Sequence, residues 1–116
     1  MVVVNGYFGE RLAQMFERYG AAVERLQVPW GRAADPADVA RRMVDGQFAI
    51  VGVVHVETST GVVNPVADIA AVARQHDALC VVDAVTSLGA MPFDAAADGI
   101  DAAYSCSQKE IGRAHV

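Results

Sequence analysis

Residues 78–109, ALCVVDAVTSLGAMPFDAAADGIDAAYSCSQK, decide the fold because they hold two short apolar runs that each end in polar residues. The first run, 78–82, stops at Asp83, and the second, 101–106, leads to Lys109. Short apolar runs bounded by turn residues predict strands that are covered on both faces, as in parallel sheets. Ligands bind beyond the carboxyl ends of such strands. An acid and a lysine are therefore expected where a ligand would bind.

Upstream of this stretch, strand patterns alternate with helix patterns. We predict strands at 2–4, 21–28 and 48–54, and helices at 9–19, from Asp35-Pro36 to Asp45, and from Asn64-Pro65 to about His76. Each Asx-Pro pair predicts a helix start, with a capping side chain followed by proline at the first helical position. Alternation of this kind predicts an α/β fold, with a mostly parallel sheet in a three-layer α/β/α arrangement.

Four polar segments follow the predicted strands. Right-handed crossovers would bring most carboxyl strand ends to one edge, which would then collect residues 5–8, 55–60, 83–87 and 107–109. This convergence by itself predicts a small-molecule site. It leaves open whether the ligand is a nucleotide or another small molecule.

Three segments resemble class V aminotransferases in their order and approximate spacing: HVETSTGVVNP (55–65), VVDAVTSLGAMP (81–92) and YSCSQK (104–109). The chain is most similar to the alanine–glyoxylate and serine–pyruvate aminotransferase group, over nearly all of residues 2–109. The resemblance implies a fold-type I enzyme that uses pyridoxal 5'-phosphate. It also implies transfer of an amino group from alanine, serine or a related amino acid to glyoxylate or another 2-oxo acid.

The resemblance assigns catalytic roles to two residues. Lys109 corresponds to the lysine that forms the Schiff base and carries the proton, and Asp83 to the acid that faces the ring nitrogen. An amine and a carboxylate so placed are what this cofactor chemistry needs. A surface lysine and a turn aspartate are the alternative interpretations.

The resemblance also implies four cofactor contacts besides these two residues. Val85 packs against the ring, Phe8 stacks on its other face, Thr58 lies beside the ring substituents and Gln108 contacts the phosphate. Tyr7 competes with Phe8 for the stacking position. Phe8 also suits an ordinary core position, and Thr58 also suits a turn or cap.

His55 and Glu57 raise the question of a metal. Residues two positions apart on a strand share a face of the sheet, and Asp83 follows a neighbouring predicted strand. No third ligand has a telling spacing, so we expect no metal. Some relatives outside the aminotransferase group place a histidine over the cofactor ring, which makes His55 a further candidate.

Members of this family are roughly three times as long, so we interpret residues 1–109 as part of the large, cofactor-binding domain. The family's upstream phosphate-binding segment and its smaller C-terminal domain have no counterpart here. The last residues, EIGRAHV, replace the family's proline- and glycine-containing loop, and IGRAHV matches a translation of a common sequencing adapter. We expect residues 110–116 to be a non-native tail.

Composition limits the other possibilities. The 116 residues are 53% hydrophobic and carry a net charge of −5 without a basic cluster, which gives no reason to expect nucleic-acid binding. Cys80 and Cys106 lie inside predicted strands and are expected to be reduced thiols. No apolar run approaches the roughly 20 residues of a membrane span. We expect a cytoplasmic protein, and a homodimer because relatives complete the phosphate site from a neighbouring subunit.

Three alternatives remain at this point. One is another class V enzyme, such as a 2-aminoethylphosphonate aminotransferase or a cysteine desulfurase. A second is a non-catalytic α/β nucleotide-binding protein, although no glycine-rich phosphate motif follows a strand. A third is that the polypeptide, as a fragment with exposed sheet edges, is inactive.

Overall fold

The computed structural model describes residues 1–106. The strands are β1 Val2–Val4, β2 Arg25–Gln27, β3 Ile50–Val54, β4 Val56–Glu57, β5 Val62–Val63, β6 Leu79–Asp83 and β7 Ala102–Tyr104. The helices are α1 Tyr7–Arg18, α2 Pro36–Asp45, α3 Val66–Gln75 and α4 Ala95–Asp98. None of these helices combines the length and hydrophobicity that a membrane crossing requires.

Five strands form a parallel sheet in the order β2-β1-β3-β6-β7, which confirms the predicted α/β fold. The chain runs outward from β1 to β2 through α1, then returns past β1 to β3 and continues to β6 and β7. The direction of winding therefore changes between β1 and β3. Ligands of open parallel sheets bind at such a switch point, beyond the carboxyl strand ends.

The sheet separates two hydrophobic clusters, which gives the three layers. Val2 and Val4 pack with Leu12 of α1 on one face. Val3, between them, joins the cluster that contains Val39 of α2 and Ile69 of α3. This alternation follows from the period of two along a strand, and each fully buried aliphatic side chain stabilises the fold by about 1.5–3 kcal/mol.

Several predicted boundaries differ from the structure. Helix α1 begins at Tyr7 instead of residue 9, β2 covers only Arg25–Gln27, and β3 begins at Ile50. The hairpin formed by β4 and β5, and the short helix α4, were not predicted. These elements are two to four residues long, too short for a periodic hydrophobic pattern to reveal them.

The two predicted Asx-Pro helix starts have different outcomes. Asp35 caps α2 as predicted, because its carboxylate accepts a hydrogen bond from the Ala37 N–H at 2.9 Å. Asn64 was predicted to cap α3, and this is wrong: the N-cap is Pro65, without a side-chain cap. The Asn64 amide instead bonds to Asn5 and to the Val54 carbonyl, since tertiary partners outcompete the local one.

Candidate functional site

A groove of about 240 Å³ lies at the carboxyl edge of the sheet, next to α1. Its lining comes from the first turns of α1 and from the ends of β3, β6 and β7. The lining residues are Phe8, Arg11, Leu12, Met15, Val54, Val56, Thr58, Asp83, Val85, Thr86, Tyr104 and Cys106. The groove thus lies at the carboxyl ends of parallel strands, the edge where such sheets bind ligands.

Asp83 is the acidic group of this groove. It ends β6 with only 8% of its surface exposed. Its Oδ1 accepts a hydrogen bond from the Val85 N–H at 2.9 Å, and its Oδ2 accepts one from the Tyr104 hydroxyl at 2.9 Å. The first bond is a local Asx-type turn and the second crosses to the neighbouring strand. Together they fix the orientation of the carboxylate in the groove.

Tyr104 reaches Asp83 because of strand register. Val54 of β3, Asp83 of β6 and Tyr104 of β7 are partners across three adjacent strands. Directly opposite side chains on one face of a sheet come close enough to interact. Burial first, and then the Asp83 carboxylate, raise the pKa of the Tyr104 hydroxyl, so it stays protonated as a donor.

Glu57 ties together the two segments that carry Phe8 and Thr58. Its side chain is fully buried, and Oε1 accepts hydrogen bonds from the Phe8 N–H at 2.7 Å and from the Ser59 hydroxyl at 2.8 Å. The Tyr7 N–H donates to Ser59 Oγ at 3.0 Å. A carboxylate at a helix N-terminus is favourable, because it accepts from otherwise unpaired N–H groups and interacts with the helix dipole.

Gly6 makes room for this arrangement. A Cβ atom at residue 6 would overlap the side chain of Glu57. The backbone at Gly6 is extended, so the requirement for glycine is one of space. Substitution here would push the Glu57 carboxylate away from the start of α1.

A reciprocal amide pair anchors the neighbouring strand ends. The Asn5 amide donates to Asn64 Oδ1 at 2.8 Å, and the Asn64 amide donates to Asn5 Oδ1 at 3.2 Å. Further bonds reach the carbonyls of Arg32 and Val54 and the N–H of Ala34. Both side chains are buried, so this network satisfies polar groups that would otherwise be costly to bury.

The structure brings four of the predicted cofactor-contacting residues to one groove: Phe8, Thr58, Asp83 and Val85. Gln108 and Lys109 lie outside the described residues, as do residues 110–116. Tyr7, the competing aromatic, is half exposed and does not line the groove. Phe8 is therefore better placed than Tyr7 for stacking.

His55 does not line the groove, although its neighbours Val54 and Val56 do, which does not support the interpretation of a histidine over a ring. It is buried, and its ring lies 5.6 Å from that of Phe93. Burial lowers the pKa of His55, opposed by the charge of Asp98. The Glu57 carboxylate bonds to the Phe8 N–H at the start of α1. Within residues 1–106, no three histidine, cysteine or acidic residues are grouped to hold a metal ion.

Sequence reasoning missed two contributions. The Tyr104 hydroxyl was not assigned to the site, and Glu57 was considered only as a metal ligand. Tyr104 closes β7 as Asp83 closes β6, a signal visible in the sequence. The register between β6 and β7, which places Asp83 beside Tyr104, was not visible in the sequence.

The groove suits a planar heteroaromatic ring with a basic nitrogen. Phe8 offers an aromatic face, Val85 an aliphatic contact and Asp83 a buried carboxylate that can hold a proton on such a nitrogen. The Thr58 hydroxyl, at the exposed rim, is able to bond a polar ring substituent. These residues fit pyridoxal phosphate, whose ring needs a carboxylate opposite its nitrogen.

Comparison with known proteins places this chain in a family. Residues 3–114 match the model of the family described as aminotransferase class-V. The (S)-ureidoglycine–glyoxylate transaminase of Bacillus subtilis is 39% identical over 94% of this chain and 26% of its own length. The 2-aminoethylphosphonate–pyruvate transaminase of Pseudomonas fluorescens is 36% identical over 94% of this chain and 30% of its own.

Among solved structures, alanine–glyoxylate aminotransferase from Nostoc sp. superposes with a TM-score of 0.88 at 42% identity. The match covers 92% of this chain and 28% of that structure. This chain thus spans between a quarter and a third of the length of the proteins it matches.

Proposed function

The chain belongs to the class V aminotransferase family, and from this we propose that it is part of the cofactor-binding domain of a pyridoxal phosphate-dependent aminotransferase. The observation that carries the proposal is the buried Asp83 carboxylate, held by two hydrogen bonds in a groove that Phe8 and Val85 also line. We further propose that residues 110–116 are non-native and that the parent protein is longer, homodimeric and cytoplasmic.

When bound, the cofactor supplies an electron sink for the bonds at the amino acid's α-carbon. Asp83 would hold the proton on the ring nitrogen, and Phe8 and Val85 would contact the ring. Thr58 would donate its hydroxyl hydrogen to a ring substituent, and Gln108 would contact the phosphate. Lys109 would provide the amine that attaches the cofactor, and the same amine would carry the proton to and from the α-carbon of the substrate.

For the reaction, we propose amino transfer from alanine, serine or a related amino acid to glyoxylate or another 2-oxo acid. Support comes from the glyoxylate-dependent transaminases of Bacillus subtilis and Nostoc sp. that this chain resembles at 39% and 42% identity. A second candidate, transfer from 2-aminoethylphosphonate to pyruvate, is supported by the Pseudomonas fluorescens relative at 36% identity.

The attachment of the cofactor to Lys109, the only lysine in residues 1–116, can be tested directly. The longer protein that contains this segment should bind pyridoxal phosphate with a visible absorption band. Reduction with borohydride followed by peptide mass spectrometry should then find the cofactor on Lys109. A normal band in the Lys109→Ala variant, or modification of another lysine, would contradict the assignment.

The same protein tests the acid and the substrates. Asp83→Asn should slow the half-reaction with the amino donor, whereas Asp68→Asn, at an exposed position on α3, should not. Loss of the visible band on mixing with alanine, serine or 2-aminoethylphosphonate, one donor at a time, ranks the candidates. A protein that binds ATP and no pyridoxal phosphate would instead support a nucleotide-binding function.

A further inference from the structure

The phenol of Tyr104 is the only side-chain group within residues 1–106 that donates a hydrogen bond to Asp83. The bond to Oδ2 is 2.9 Å long, and the parallel pairing of β6 with β7 sets the two residues directly opposite each other. The bond is therefore built into the sheet, and does not depend on a mobile loop.

The environment makes Tyr104 a permanent donor. Its side chain is half-buried and lines the groove with Asp83 and Phe8. Burial and the neighbouring carboxylate raise the pKa of the phenol, an effect that the charge of Arg11 on α1 partly offsets. The hydroxyl hydrogen thus remains available to Asp83 throughout the physiological pH range.

The other carboxylate oxygen of Asp83, Oδ1, is oriented by a backbone N–H group. The Val85 N–H donates to Oδ1 from two residues away, a bond that substitution of Tyr104 leaves in place. Without the Tyr104 hydroxyl, Oδ2 would have no partner among the described residues, and only the Val85 N–H would restrain rotation of the carboxylate about its Cβ–Cγ bond. The Tyr104 hydroxyl therefore supplies one of the two bonds that hold the acid in a single orientation.

We propose that Tyr104 is a positioning residue that orients Asp83 towards the ring nitrogen of the bound cofactor. This inference rests on the proposed function, because it gives Tyr104 a role only through Asp83. Tyr104 need not touch the cofactor or the substrate. Its contribution should therefore disappear when Asp83 can no longer act as an acid.

The test is a double-mutant cycle in the longer, full protein. The dissociation constant of pyridoxal phosphate is measured on the apoenzyme of the wild type, Tyr104→Phe, Asp83→Asn and the double variant. Loss of a hydrogen bond to a charged group predicts about tenfold weaker binding in Tyr104→Phe, with a shifted visible absorption band. In the Asp83→Asn background the same change should cost less than about twofold.

The control is Tyr19→Phe, which removes a hydroxyl from an exposed tyrosine on the surface next to α1. It should bind the cofactor as the wild type does. Equal binding by Tyr104→Phe and wild type would overturn the inference, as would an equal loss in both Asp83 backgrounds. If the wild type takes up no pyridoxal phosphate, the proposed function fails together with the role of Tyr104. If the wild type binds the cofactor and the Tyr104→Phe variant binds it equally well, only the role of Tyr104 fails.

A second measurement does not require Tyr104→Phe to fold. Incorporation of a fluorinated tyrosine at residue 104 keeps both the packing and the hydroxyl, and its fluorine resonance reports on the hydrogen bond. The resonance should move when Asp83 is replaced by asparagine and again when the apoenzyme binds pyridoxal phosphate. A resonance that is insensitive to both changes would overturn the inference.

Discussion

Strand β6 shows the contrast between the two ends of the sheet. At its amino end Leu79 is 54% exposed, whereas at its carboxyl end Asp83 is 8% exposed. This is the reverse of what side-chain hydrophobicity favours. Within residues 1–106, every buried polar or charged side chain lies at or beyond a carboxyl strand end: Asn5, His55, Glu57, Asn64, Asp83 and Ser87.

The contrast teaches that the two regions are stabilised differently. In the sheet interior, aliphatic side chains such as Val51, Val53 and Val82 need only close packing. At the carboxyl edge each buried polar group needs a hydrogen-bond partner, or it destabilises the fold. Within residues 1–106, three such atoms have none: His55 Nδ1, Glu57 Oε2 and Ser87 Oγ. These unpaired polar atoms lower the stability of the carboxyl edge relative to the sheet interior.

The largest expected effect belongs to the interior. Ile69→Ala removes a fully buried side chain from the cluster under α3, and should lower the free energy of unfolding by ~2–5 kcal/mol. Cofactor affinity should stay within about twofold of the wild type, because Ile69 does not line the groove. Chemical denaturation and cofactor titration of the longer protein measure the two quantities. Leu79→Ala, at an exposed position, is the control, and a loss as large as that of Ile69→Ala would refute the contrast.

Gly6→Ala should affect both stability and binding. The new methyl group overlaps Glu57, which costs ~1–3 kcal/mol and displaces the start of α1 that carries Phe8. Denaturation and cofactor titration should therefore change together. In a Glu57→Ser background the overlap is gone, so Gly6→Ala should cost clearly less there. An equal cost in both backgrounds would show that Gly6 matters for another reason.

Glu57→Gln separates charge from shape. The amide oxygen can still accept from the Phe8 N–H and the Ser59 hydroxyl, but the negative charge at the N-terminus of α1 is lost. We expect a loss of about 1 kcal/mol in the free energy of unfolding. Cofactor affinity should change little, since the shape of the groove is kept. A loss above about 3 kcal/mol would mean that the charge has a partner beyond the helix.

The smallest effect concerns the pH dependence due to His55. Burial lowers its pKa in the folded protein below the ordinary value of about 6.5, so the unfolded chain binds the proton more readily. Stability from this group is present above about pH 6.5 and is lost as the pH falls through the folded pKa. His55→Gln should reduce the loss of stability as the pH falls below about 6.5, measured by denaturation. An unchanged pH profile would contradict this origin.

The local sequence pattern was enough to predict the elements that have a clear apolar run or a clear helix cap. Apolar runs predicted the positions of β1, β3 and β6, and Asp35-Pro36 predicted both the start and the cap of α2. Prediction was poorest where the signal was short or had a competitor. The two-residue strands β4 and β5 have too few side chains for a pattern, and the amide of Asn64 found distant partners in place of its own helix.

The sequence by itself determined the α/β alternation and which polar segments follow the strands, because both are read from neighbouring residues. It also supplied the residues from which a class V aminotransferase resemblance was drawn, and the family match confirms that resemblance. Only the tertiary structure decided that Phe8 and not Tyr7 lines the groove, and that Glu57 caps α1. Tyr104 meets Asp83 through strand register, which depends on packing between segments far apart in the chain.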